Sequence, residues 1–151
     1  MSALERALSL AVAKHSGTRD KGGVPYILHP IHVMMEMKKA GCTEDELAAG
    51  VMHDVVEDTD ITLDDLRSMG FSEAVVLAVD SVTKREGEPI EEYRRRVATN
   101  QTGRKIKIQD LRHNMDITRL KNRGHMTDKD LQRLREYAEH YDMLVGGAVG
   151  V

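Results

Sequence analysis

A histidine and an aspartate stand side by side, His53-Asp54, late in the apolar, alanine-rich stretch Leu47-Ala-Ala-Gly-Val-Met-His-Asp-Val-Val56. Two more carboxylates, Glu57 and Asp58, follow about one helical turn on. Unpaired charge among apolar neighbours is strongly disfavoured, so something must compensate it. A bound divalent cation would do that. The chain offers further ligands in His29, within Tyr26-Ile-Leu-His29-Pro30, and Asp110, within Lys107-Ile-Gln-Asp110-Leu-Arg-His113-Asn114.

A chain of 151 residues suits one domain with a single core. That core must be built from Leu, Ile, Val, Met and Ala, because the chain has one Phe and no Trp. Nine Met add adaptable packing. This mixture favours helices over a β-sandwich, which needs more β-branched and aromatic residues. One cysteine, Cys42, excludes an internal disulfide and fits a reducing compartment. No apolar run approaches the roughly 20 residues that span a bilayer. The apolar N-terminal segment has helical periodicity and charged flanks, so it reads as a helix and not a signal peptide, and the protein as cytoplasmic.

Helical spacing and end signals predict an all-α, compact bundle of about eight helices. The first covers about 2–15 on Leu4, Ala7, Leu8 and Ala11. A loop rich in glycine follows, then a helix with Pro30 in its first turn that stops at Gly41. Thr43-x-x-Glu46 is a capping box opening a third helix that ends near Glu57. Thr62-x-x-Asp65 starts a short fourth, and Ser72 caps a fifth running through Val82. The sixth and seventh are expected over about 90–99 and 104–115. Thr127-x-x-Asp130 caps the last. One domain over 1–145, with a flexible tail at 146–151, is the expected organisation.

Two imidazoles and two carboxylates make a mixed nitrogen and oxygen set. It suits Mn²⁺, Fe²⁺ or Zn²⁺ better than Ca²⁺, and the lack of thiolates argues against a structural zinc site. Four protein ligands leave positions for water and substrate in a six-coordinate metal. Glu57, four residues after His53, falls near the same helix face. As non-ligating acids, Glu57 and Asp58 can orient or deprotonate water and protonate a leaving oxygen. The bland alternative, a solvated helix end, sets acids against the helix dipole.

Charge is segregated. Residues 1–83 carry 7 Lys/Arg against 14 Asp/Glu, while residues 84–123 carry 12 against 6. An acidic, metal-binding half opposed to a basic half suits an anionic, phosphate-bearing substrate. The basic segment lacks interleaved aromatics for base stacking, and the net charge is −3, so nucleic-acid binding is disfavoured.

The order His…His-Asp…Asp is the signature of the HD-type metal-dependent phosphohydrolases. Residues 15–114 resemble the hydrolase domain of the bifunctional alarmone synthetase/hydrolases, and still more the stand-alone small alarmone hydrolases of Mesh1 type. The resemblance is carried by His15-Ser-Gly-Thr-Arg-Asp-Lys-Gly-Gly-Val-Pro-Tyr-Ile-Leu-His-Pro30, Ala48–Thr59, Val82-Thr-Lys84, Tyr93 and Ile106–Asp110 with His113-Asn114. It implies one Mn²⁺, or another divalent transition metal, on His29, His53, Asp54 and Asp110. It implies removal of the 3′-pyrophosphate from guanosine tetra- or pentaphosphate, with Glu57 and Asp58 as the catalytic pair. Lys21 and Asn114 match nucleotide-pocket residues. No synthetase or regulatory domain is expected to follow.

The chain departs from that pattern at three places. Asp20-Lys21 stands where Arg-Lys is usual, and a carboxylate cannot stack on a base; Arg19 can substitute if the loop shifts. Thr18 stands where Gln is usual, and Leu111 where Arg is usual. All three bear on the nucleotide and not on the metal. Tyr93 either stacks on a base or packs in the core. Arg94-Arg95-Arg96 reads as a solvated face with a subset reaching phosphates, and the role of His113 stays open. The competing functions are an HD phosphohydrolase acting on a nucleoside monophosphate or NADPH, and a non-catalytic metal-stabilised domain that binds nucleotide or a partner. A homo-oligomer is compatible with either.

Overall fold

The structure, a computed structural model, describes the backbone of residues 1–149 and side chains through 146. Among the described residues there are nine α-helices and no β-strand. In order these are α1 (Ala3–His15), α2 (Leu28–Lys39), α3 (Glu44–Val51), α4 (Val55–Asp58), α5 (Leu63–Ser68), α6 (Glu73–Ser81), α7 (Ile90–Thr99), α8 (Gln101–Asn114) and α9 (Asp128–Val149). A single 3₁₀ turn, Ile117–Arg119, follows α8.

The start signals act as expected. Thr43 and Thr62 form reciprocal capping boxes with Glu46 and Asp65, and Ser72 accepts from the Val75 N–H. Thr127 and Asp130 do the same ahead of α9. One further box, Ser2 with Glu5, opens α1. Each such cap supplies partners for N–H groups that the helix itself leaves unpaired.

Two elements differ from expectation. The expected third helix is broken at Met52–Asp54, so α4 is a separate single turn. The α8 helix starts at Gln101, where Asn100 accepts from the Gly103 N–H, rather than at 104. The expected tail at 146–151 lies partly outside the described residues, and α9 continues to Val149.

The core sits around α3, which packs against α1, α2 and α6, while α8 packs on α2, α7 and α9. Ala48, Ala49, Val51, Met52 and Val55 are fully buried there with Val33, Met37, Val76 and Ile106. Gly50 lets α2 and α3 approach closely, since a Cβ at that position would lie 2.5 Å from Met37 Sδ. This close packing of α2, α3 and α8 brings the residues of the site to one place.

Candidate active site

The break after α3 is what aims His53. Leaving the helix, its Nδ1–H donates to the Gly50 carbonyl at 2.7 Å, which turns Nε2 inward. Nε2 then lies 3.1 Å from Asp54 Oδ2 and 3.3 Å from Asp110 Oδ1. It is buried and aligned with neither oxygen as a hydrogen bond. His29, in the first turn of α2, brings Nε2 to 2.8 Å from Asp110 Oδ1 and 3.9 Å from Asp54 Oδ2. Asp110 comes from the C-terminal half of α8. Four side chains from three parts of the chain thus converge, three of them (His29, His53, Asp54) grouped as a metal would need.

The donor chemistry fits a divalent cation. Two imidazole nitrogens and two carboxylate oxygens face one point, and the buried His53 Nε2 has no satisfied hydrogen bond. Burial resists charge on His53, yet Asp54 and Asp110 outweigh it and hold the imidazole well above its ordinary range. Burial likewise resists ionisation of Asp110, but Lys107 and the two histidines keep it well below the usual carboxylate range. For Asp54, burial is outweighed chiefly by His53, which holds the carboxyl below the usual carboxylate range. The negative potential that keeps a proton on His53 is equally available to a cation.

Neighbouring side chains hold these groups in place. Lys107 Nζ donates to Asp110 Oδ2 at 2.8 Å, and Asn114 Nδ2 to Oδ1 at 3.1 Å. The Tyr26 hydroxyl donates to Asp54 Oδ2. His29 Nδ1 meets His113 Nδ1 at 2.7 Å, and the His113 ring stacks on His32 with centroids 3.8 Å apart. Orienting contacts of this kind set tautomer and direction in metal-ligating histidines.

Glu57 and Asp58 lie on α4 beside the cluster. Glu57 Oε1 accepts the Lys84 backbone N–H at 2.7 Å. Burial, then Asp54 and Glu57, push the Asp58 carboxyl up to about 6. It can therefore hold or release a proton near neutrality.

A cleft of about 420 Å³ adjoins the cluster through Tyr26 and Asn114, which line it and hydrogen-bond to Asp54 and Asp110. Arg19, Lys21, Arg119 and Arg133 line it, with Asp20, Asp116 and Asp130 as the acids. Tyr137 and Leu134 of α9 supply its apolar wall. Asp20 does not confront the cleft as a bare charge. Its Oδ2 pairs with Arg119 at 3.3 Å, and its Oδ1 accepts the Val24 N–H at 3.2 Å. Arg19 lines the cleft while its guanidinium donates to the Gly23 carbonyl at 2.8 Å.

The HD domain family matches residues 7–123. This chain belongs to the HD domain family. It is 31% identical, over 157 residues, to the zebrafish (Danio rerio) guanosine-3′,5′-bis(diphosphate) 3′-pyrophosphohydrolase MESH1, covering 97% of this chain and 84% of that protein. It is 36% identical, over 144 residues, to a GTP pyrophosphokinase of Streptomyces coelicolor, where the match covers 89% of this chain but 17% of the other. The solved structure described as "A metazoan ortholog of SpoT hydrolyzes ppGpp and plays a role in starvation responses" superposes with a TM-score of 0.78 at 27% identity. That superposition covers 95% of this HD domain chain and 85% of the other.

Of the expected nucleotide contacts, Arg19, Lys21 and Asn114 line the cleft and Tyr93 does not. Tyr93 is 6% exposed, and its hydroxyl donates to the Val82 carbonyl at 3.0 Å, so it belongs to the core. Arg94 and Arg96 are not a free solvated face. Arg94 donates to the Glu136 carbonyl of α9, and Arg96 binds the segment before α7. Leu111 is buried in the core. Sequence reasoning missed Lys107, Arg119 and Arg133. For Lys107 the signal was its spacing of three residues from Asp110 on one helix. No local signal pointed to the other two. Among the described residues, no helix is long and apolar enough to cross a membrane.

Proposed function

We propose that this chain hydrolyses the 3′-pyrophosphate of guanosine tetra- or pentaphosphate, releasing pyrophosphate and GDP or GTP. The observation that carries this is the junction at Tyr26 and Asn114 between the four-ligand cluster and the cationic cleft. A phosphorylated nucleotide in the cleft places one phosphate ester at the cluster and meets Arg19, Lys21 and Arg119 along its length. The zebrafish relative, whose name carries this activity, aligns over nearly the whole chain.

His29, His53, Asp54 and Asp110 would hold the metal, for which Mn²⁺ suits the donor set. When bound, such a cation activates water as a nucleophile and offsets charge on the phosphoryl oxygens. Glu57, fixed through Oε1, orients the attacking water and takes its proton. Asp58, whose carboxyl burial and the neighbouring Glu57 push up, returns a proton to the leaving oxygen. The cleft cations fix the nucleotide and lower the repulsion between its phosphates.

The test is an assay of Mn²⁺-loaded protein with guanosine tetraphosphate, its adenosine analogue, a nucleoside monophosphate and NADPH, reading pyrophosphate and orthophosphate separately. Pyrophosphate from the guanosine compound at the highest kcat/KM supports the proposal. Faster turnover of NADPH or the monophosphate with orthophosphate release would reassign the substrate.

A further inference from the structure

We propose that Arg96 is a positioning residue that acts on Glu57 through the segment joining α6 to α7. The guanidinium of Arg96 uses all three of its nitrogens, on that segment and on the end of α6 that leads into it. Nε and Nη2 form a two-pronged bond to Glu88 at 2.7 and 2.8 Å. Nη1 donates to the Asp80 carbonyl at 2.8 Å, and Nη2 also to the Thr83 carbonyl at 2.7 Å. The same planar peptide group carries the Lys84 N–H, which donates to Glu57 Oε1 at 2.7 Å. One covalent link therefore separates the carbonyl that Arg96 grips from the amide that fixes Glu57.

The grip is built and not incidental. The Glu88 side chain is 7% exposed, and a bidentate pair with Arg has defined geometry as well as strength. Tyr93, one turn earlier on α7, binds the Val82 carbonyl of the same segment. Arg85 closes it from outside, pairing with Asp80 at 3.1 Å while its backbone N–H donates to Glu88. The segment turns at Gly87, whose φ of 73° suits glycine, and the Glu88 N–H donates to the Arg85 carbonyl at 3.1 Å within the turn. Surface ion pairs at a helix end stabilise by little. Four bonds from one guanidinium to two carbonyls and one carboxylate instead select a single backbone path. That path sets where the Lys84 N–H points, and hence where the carboxylate of Glu57 sits relative to the cluster.

This inference rests on the assignment of Glu57 to proton transfer. A misplacement of about 1 Å in such a group costs up to about 10²-fold in rate. Arg96→Met keeps the stem and removes the donors; Arg96→Lys keeps charge and one donor direction. Three measurements separate the alternatives. Amide hydrogen exchange of metal-loaded protein should show faster exchange at Lys84 in Arg96→Met, partly restored in Arg96→Lys. With guanosine tetraphosphate, Arg96→Met should lower kcat about 10–10²-fold with KM and bound metal unchanged. In the Glu57→Gln background the same substitution should cost less than about twofold, because the group it positions is gone. Unchanged Lys84 exchange in Arg96→Met overturns the inference whatever the rates. Equal losses in both backgrounds overturn it too, since they indicate a general structural effect. A Glu57→Gln variant with wild-type turnover sinks the role of Glu57 instead, and leaves the exchange result to decide whether the grip exists.

Discussion

Lys107 holds one oxygen of Asp110, Oδ2, at 2.8 Å, and the other, Oδ1, lies 2.8 Å from His29 Nε2. The carboxylate is thereby divided between a resident ammonium and the cluster. Lys107 compensates buried negative charge when the site is empty of metal, and it leaves Asp110 a single oxygen for ligation. Breaking one partner of a buried pair costs about 3–5 kcal/mol. Lys107→Met should lower the thermal midpoint of metal-free protein, and added Mn²⁺ should recover much of the loss. Calorimetry with and without chelator checks this; a variant as stable as wild type in chelator would show that Asp110 finds its compensation elsewhere.

His53→Ala removes a ligand whose Nε2 faces both carboxylates. Metal content by elemental analysis should fall to background. Stabilisation by Mn²⁺, about 2.7 kcal/mol at a hundredfold excess over Kd in wild type, should vanish with it. Full occupancy in this variant would show that the metal is held elsewhere.

His140 offers a pH test away from the ligands. It is buried on α9, its Nε2 has no hydrogen-bond partner, and its ring packs edge-on against Tyr93. Burial, with Lys107 and Arg94 nearby, lowers its pKa to about 4. The unfolded chain binds a proton near 6.5 and the folded chain does not, so stability falls as pH drops from about 6.5 to about 4. Within that window the slope approaches about 1.4 kcal/mol per pH unit from this group. Urea midpoints of wild type and His140→Gln across pH 4–7 should converge toward the acid end, and parallel curves would exclude the assignment.

Asp20 replaces an expected guanidinium, yet it anchors another one, Arg119, at the cleft. Asp20→Asn keeps an acceptor for the Val24 N–H and removes the ion pair to Arg119, leaving that guanidinium only its bond to the His113 carbonyl. KM for guanosine tetraphosphate should rise about tenfold, equivalent to about 1.4 kcal/mol, with kcat held. Arg119→Ala should do the same without adding to it in the double variant. An unchanged KM in both would show that neither side chain meets the nucleotide.

Much of the fold was legible because helix starts are written locally, in Thr43 with Glu46, Thr62 with Asp65 and Thr127 with Asp130. The break after Val51 was not. Ala, Val and Met continue helical periodicity through His53, whereas in the structure α3 ends at Val51 and the His53 imidazole donates to the Gly50 carbonyl. The four candidate ligands were legible as residue types in order, and the structure brings them together. Tyr93 stayed open in the sequence because an aromatic near a catalytic motif carries the same letters whether it stacks on a base or fills a core; the structure packs it in the core. The pairing of Asp20 with Arg119 spans 99 positions, and no local pattern encodes such a partner.

The most direct measurement is turnover of guanosine tetraphosphate by Mn²⁺-loaded wild type beside Glu57→Gln, with released pyrophosphate and bound metal quantified in the same samples. Wild type should release pyrophosphate and GDP in equal amounts. Glu57→Gln should retain its metal and lose about 10²–10⁴-fold in rate. Metal-loaded, folded wild type that releases no pyrophosphate, or a Glu57→Gln variant that matches it, would contradict alarmone hydrolysis at this site.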